Sequence, residues 1–167
     1  MLSLMLLFLD IDGTLLPFGA AAPYPSYTSR FVPPAAAAAH PLLDRIDPGL
    51  GARLASLGCE LVWATTWLDD ANTCVAPWLG LPPLPVLDWP DADEPARLHW
   101  KTRPLTAWAA GRPFVWLDDE LTAADRAWVA ARHPAPALLH RVDHRCGVTD
   151  GDLATVREWL GGSAAPV

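Results

Sequence analysis

Short apolar runs punctuate the chain, each closed by polar or turn-forming residues. Leu4 to Leu9 is the first and ends in Asp10-Ile11-Asp12-Gly13-Thr14. An unbroken apolar run bounded by a turn signal predicts a strand buried on both faces, as at the centre of a parallel sheet. Glu60 to Thr65, Val86-Leu87, Pro113 to Leu117 and Ala137 to Val142 predict four more strands. Helices are predicted between them. Asp47-Pro48 supplies an N-cap and a first-turn proline for a helix from Pro48 to about Leu57, stopped by Gly58. The next runs from Asp69 to Leu79 and is interrupted or ended near Pro77. Lys101 to Ala110 is closed by Gly111, Thr122 caps a helix to Arg132, and Asp150 to Leu160 precedes Gly161-Gly162. Strands alternating with helices predict an α/β fold: a three-layer, Rossmann-like parallel sheet of about five strands with helices on both faces. Residues 1–162 read as one domain and 163–167 as a tail. The stretch from about 18 to 44 is rich in Pro, Ala, Ser and Tyr and reads as an irregular flap over the sheet edge.

Chemistry collects where the strands end. Side chains two apart in an extended segment share a side, so Asp10 and Asp12 can converge on one point. Buried carboxylates are costly unless paired or bound to a metal, so two at the mouth of a buried strand need a reason. Gly13 permits a tight turn and close approach to the backbone. In open α/β sheets, ligands bind outside the carboxyl ends of the strands. Thr65-Thr66 ends the second predicted strand, Lys101 starts a helix, and Asp118-Asp119 ends the fourth. Hydroxyl, ammonium and carboxylates at one sheet edge suit a phosphate and Mg²⁺, a hard cation that takes one or two carboxylates plus phosphate oxygens. Hydroxyl, backbone N–H and Lys donors stabilise a transferring phosphoryl group, and a carboxylate can itself be the nucleophile.

Charge and composition narrow the partners. The 167 residues carry a net charge of −7, which argues against an extended nucleic-acid surface but leaves room for a strand end in one small pocket. Cys59, Cys74 and Cys146 fit neither a disulfide framework nor a zinc set, and a reducing cytoplasm suits them. No basic start or small-residue cleavage site accompanies the first apolar run, and no run reaches the ~18 residues of a membrane span. Eleven arginines accompany a single lysine, Lys101. A lysine kept in that background suits a position that needs a compact point charge instead of a planar fork.

The order Asp-x-Asp-Gly-Thr, Thr, Lys, Asp-Asp resembles the four motifs of the haloacid dehalogenase (HAD) superfamily of phosphohydrolases. The resemblance implies Asp10 as nucleophile and Asp12 as general acid/base. It implies Thr65, with Thr66 as its rival, as the hydroxyl that holds phosphoryl oxygens, and Lys101 as the motif III cation. It implies Mg²⁺ held at Asp10, the backbone carbonyl of Asp12, Asp118 and Asp119, with Gly13 and Thr14 beside the substrate. There is no room for a large cap domain. Capless members resemble phosphatases of macromolecules, because an open site admits a large phosphorylated substrate. Val62-Trp63-Ala64-Thr65-Thr66-Trp67, His99-Trp100-Lys101-Thr102 and Phe114-Val115-Trp116-Leu117-Asp118-Asp119-Glu120 are similar to small HAD domains grouped with Swiss-army-knife RNA-repair proteins, which implies a nucleic-acid end as substrate.

Plainer readings stand beside these. Trp67, Trp89 and Trp100 can stack on a base or can pack the core and rim. His140, Asp143, His144 and Cys146 match no standard zinc spacing. Asp69-Asp70 suits a helix start, and His99 lies close enough to Lys101 to touch substrate. A phospho-accepting receiver also uses Asp, Thr and Lys at sheet ends, but its acceptor ends the third strand, here Val86-Leu87-Asp88. A non-catalytic module keeping the fold is the other alternative, although a degenerate copy is expected to lose Asp10 or Asp12. Transfer to an acceptor other than water also fits the motif set.

Overall fold

The computed structural model describes residues 5–89 and 97–163. Four strands form one parallel sheet: β1 (Leu6–Leu9), β2 (Glu60–Trp63), β3 (Phe114–Asp118) and β4 (Ala137–Arg141), in the order β2-β1-β3-β4. The first strand in sequence is therefore interior, with Leu9 level with Trp63 on one side and Leu117 on the other. Every residue of β1 and β3 is buried, as two-sided coverage requires.

Alternation along the strands builds two cores. Leu7, Leu9, Leu61, Trp63, Val115 and Leu117 face one way. They meet α2 (Leu50–Ala55), α3 (Ala76–Leu79) and α6 (Asp150–Ser163) through Leu54, Trp78, Leu153 and their neighbours. Leu6, Phe8, Val62, Phe114 and Trp116 face the other way, onto Leu105 of α4 (Thr102–Ala109) and Val129 of α5 (Ala123–Arg132). The result is the expected three-layer, helix-flanked sheet.

The strand count is corrected from about five to four. Val86-Leu87 joins β2 by a single parallel bridge at Trp63, with Trp63 N–H donating to Pro85 O and Leu87 N–H to Trp63 O. Pro82, Pro83 and Pro85 surround it, and prolines supply no N–H to extend a ladder. Asp88 to Pro95, an acidic, Pro-rich stretch whose sequence reads as a loop, lies largely outside the described residues. The helix expected over 69–79 is helical throughout but changes type: Ala71–Val75 is a π-helical turn and α3 follows directly. Pro77 in the first turn of α3 cannot donate back into the preceding turn. The Asn72 side chain also bridges the Trp63 indole N–H and the backbone of Leu84, which fixes the widened turn. The α5 start carries the expected Thr122 cap, completed by Asp125 as a capping box.

Residues 18–44 form no separate core. One short helical turn, α1 (Pro34–Ala37), interrupts an irregular path. Tyr24 donates to Arg145 O, Phe18 stacks on His144, and Ser29 donates to Trp78 O, so the segment is fastened to the loop after β4 and to α3.

Candidate active site

Asp10 and Asp118 directly follow or end adjacent, in-register strands, so the sheet sets two carboxylates side by side. Asp10 N–H donates to Leu117 O at 3.2 Å, which locks that level. Asp10 is 6% exposed and Asp118 1%. Two such charges need a counter-ion, and the lone lysine supplies it. Lys101 Nζ donates to Asp10 Oδ1 at 2.7 Å and to Asp118 Oδ2 at 2.8 Å. Burial opposes the ammonium, but the two carboxylates outweigh it and raise the Lys101 pKa above its usual value. For Asp10 burial dominates, only partly countered by Lys101, and its pKa is pushed up to about 7.

The turn after β1 is built to let a third carboxylate in. Gly13 has φ +76°, and a Cβ there would run into the Asp119 carboxylate. Asp10, Asp118 and Asp119 place carboxylate oxygens within 4.8 Å of one another. Burial, then Asp118, raises the Asp119 pKa. Three carboxylates against one ammonium leave surplus negative charge, and the all-oxygen donor set fits a hard divalent cation. Asp12 contributes no side chain to this cluster. Its carboxylate points outward and accepts from the Trp67 indole N–H at 3.0 Å.

The other expected residues have distinct places. Thr14 is fully buried, and its hydroxyl donates to Asp10 Oδ2 at 3.2 Å. Gly13 N–H is taken by Leu16 O. Thr65 is buried, and its Oγ1 accepts from the Trp67 backbone N–H, whereas Thr66 is exposed. His99 accepts from Lys101 N–H at Nδ1, which leaves Nε2 to donate toward Glu120 at 3.3 Å. Its ring lies between those of Trp100 and Trp116. Trp100 and Trp89 pack edge to face beside it.

The residues of β4 and the loop after it are separately engaged: His140 pairs with Asp152, His144 with Phe18 O, and Asp143 with Arg145. Among the described residues they form no metal-binding group. Asp69 and Asp70 are exposed.

Sequence reasoning missed Asp125. It is fully buried and accepts from Thr122, the His99 N–H and the Thr102 hydroxyl, so it ties α5 to the residues around Lys101. Its hydrogen bonds outweigh the burial that would raise its pKa and hold it low. Thr122-x-x-Asp125 before a helix was the available signal.

The family model described as the HAD domain in Swiss Army Knife RNA repair proteins matches residues 6–153. The chain belongs to that family. HAD domains in general are hydrolases of the phosphatase type. The match spans the strand carrying Asp10 and Asp12, the Thr65–Trp67 turn, Lys101 and the Asp118-Asp119 pair of this HAD domain. No curated protein and no solved structure matches the chain significantly. Among the described residues of the HAD domain, no helix is long and apolar enough to cross a membrane.

Proposed function

We propose that this HAD domain is a Mg²⁺-dependent phosphomonoesterase acting through an aspartyl-phosphate on Asp10. The observation that carries the reading is the buried Asp10–Lys101–Asp118 set with Asp119 beside it. Asp10 Oδ attacks phosphorus, the bond to the ester oxygen breaks, and Asp12 gives that oxygen a proton. Water then loses a proton to Asp12 and attacks the phosphoryl group, freeing Asp10 and inorganic phosphate. Lys101 and Thr65 or Thr66 donate to the phosphoryl oxygens as charge develops. Thr14 fixes the Asp10 carboxylate by its hydroxyl. Mg²⁺ at Asp10, Asp118, Asp119 and the Asp12 carbonyl would neutralise phosphate charge when bound. Residues 1–162 act as one catalytic unit, with 18–44 as its flap.

The family description speaks of RNA repair, and among the described residues no cap domain stands over the site. Both favour a large phosphorylated substrate, a nucleic-acid end first. The test is phosphate release from an aryl phosphate with and without Mg²⁺, with Asp10→Asn as control. It continues with 3′- and 5′-phosphorylated oligonucleotides, nucleotides and phosphopeptides. Turnover that needs Mg²⁺ and disappears in Asp10→Asn is expected. A folded wild type with neither turnover nor Mg²⁺ binding would instead be a non-catalytic module.

A further inference from the structure

The turn after β2 does more than deliver a threonine. Trp67 reaches from it to Asp12, its indole N–H donating to Oδ2 at 3.0 Å. Trp67 is itself held on two sides. Its backbone N–H donates to Thr65 Oγ1, and its ring packs at 5.9 Å from the His40 ring of the 18–44 segment. His40 Nε2 in turn lies 3.1 Å from Cys74 Sγ in the π-helical turn. The residue after Trp67, Leu68, has φ +50°, a left-handed conformation that a leucine adopts only where its surroundings impose it. The turn is thus constrained to a shape that aims the indole at one carboxylate oxygen.

Asp12 lies on the outer side of the site, is exposed, and has no other side-chain partner shown among the described residues. A carboxylate on a turn has rotamer freedom, and a general acid is useful only within hydrogen-bond reach of the oxygen it protonates. Binding Oδ2 leaves Oδ1 to face the ester. We propose that Trp67 is the positioning residue of Asp12, and that His40 braces Trp67 so that the 18–44 segment sets the aim of the proton donor. The inference rests on the phosphatase reading above. In the step concerned, the Asp10–phosphorus bond forms, the phosphorus–ester oxygen bond breaks, and the Asp12 proton passes to the leaving alkoxide.

Leaving-group dependence separates this role from a merely structural one. A nitrophenolate leaves without a proton, whereas an alkoxide needs one, and kcat/KM reports the transfer to Asp10 alone. Trp67→Phe keeps an aromatic ring at the position and removes the N–H with the five-membered ring that carries it, a packing change that acts on both esters alike. For an alkyl phosphate or a phosphorylated oligonucleotide, kcat/KM is expected to fall about 10- to 100-fold, a fraction of the full value of general acid catalysis. For para-nitrophenyl phosphate the fall is expected to stay under about 3-fold. His40→Ala should move the same ratio in the same direction by less. Equal losses on both esters, or no loss on either, would overturn the role of Trp67 while leaving the phosphatase reading intact. A wild type that turns over only the aryl ester overturns it too, since no leaving-group protonation is then at work. A wild type that turns over neither ester sinks the phosphatase reading itself, and this inference with it.

Discussion

Replacing Lys101 by Met keeps the length of the side chain and removes its charge. At the observed 2.7 and 2.8 Å, each contact is worth about 6 kcal/mol of attraction at an effective dielectric of ~20. Desolvation of an ammonium that is 3% exposed offsets much of this. The net cost of removing one partner from such a buried set is about 3–5 kcal/mol, because the two carboxylates stay behind unpaired. For a chain of this size that is a fall in Tm of roughly 6–20 °C. Protonation limits the damage. Asp10 titrates at about 7 with the ammonium present and must titrate higher without it. A carboxyl whose folded pKa is raised contributes stability at low pH and loses it as pH rises through the folded value. The deficit of Lys101→Met therefore widens as pH rises above about 7. Urea denaturation followed by circular dichroism, in chelator, at pH ~6 and ~9 reads both effects. A deficit below about 1 kcal/mol, or one equal at both pH values, would refute Lys101 as the counter-ion of Asp10 and Asp118.

Four further outcomes are expected. Asp125→Ala should cost about 2–4 kcal/mol in chemical denaturation, because the α5 cap, the His99 N–H and the Thr102 hydroxyl lose their acceptor. The Asp125 pKa is depressed, so the gap from wild type should hold above about pH 5 and close as pH falls below its usual 3.8. Gly13→Ala should lower stability by about 1–2 kcal/mol through its positive φ, and should weaken Mg²⁺ binding by calorimetry as Asp119 is displaced. Mg²⁺ at ~100 times its Kd should stabilise the wild type by about 2.7 kcal/mol in a thermal melt, and Asp118→Asn or Asp119→Asn should abolish that gain. Trp116→Phe should stay within about 1 kcal/mol of wild type, because the buried indole N–H it removes has no partner among the described residues and its loss offsets the cavity.

The sheet was legible because its strands are short, uninterrupted and apolar on both faces, as at Leu6–Leu9 and Phe114–Asp118. Val86-Leu87 has the same apolar signature, and only the surrounding prolines hold it to one bridge. The carboxylates at strand ends were legible for the same reason, since register alone sets Asp10 beside Asp118. What sequence could not give was contact across elements. Nothing local in Asp125 points to His99 and Thr102, and nothing in Trp67 points to Asp12, because those partners meet only after the loops close. Nor does anything local in Thr14 show that its hydroxyl, closed to solvent, donates to Asp10.

The interior position of β1 bears on how the molecule comes into being. Of the four strands this one leaves the ribosome before the others, yet Leu6 pairs with Glu60 on one edge and with Phe114 on the other. Until Phe114–Asp118 has emerged, the strand bearing Asp10 keeps an open edge and bare apolar faces, the kind of segment that seeks foreign strands. Closing loops this long makes the pairing slow. A truncated product ending before β3 would therefore lack both its central ladder and Asp118, so an early fragment cannot assemble the cation cluster, and such fragments are candidates for aggregation or chaperone capture.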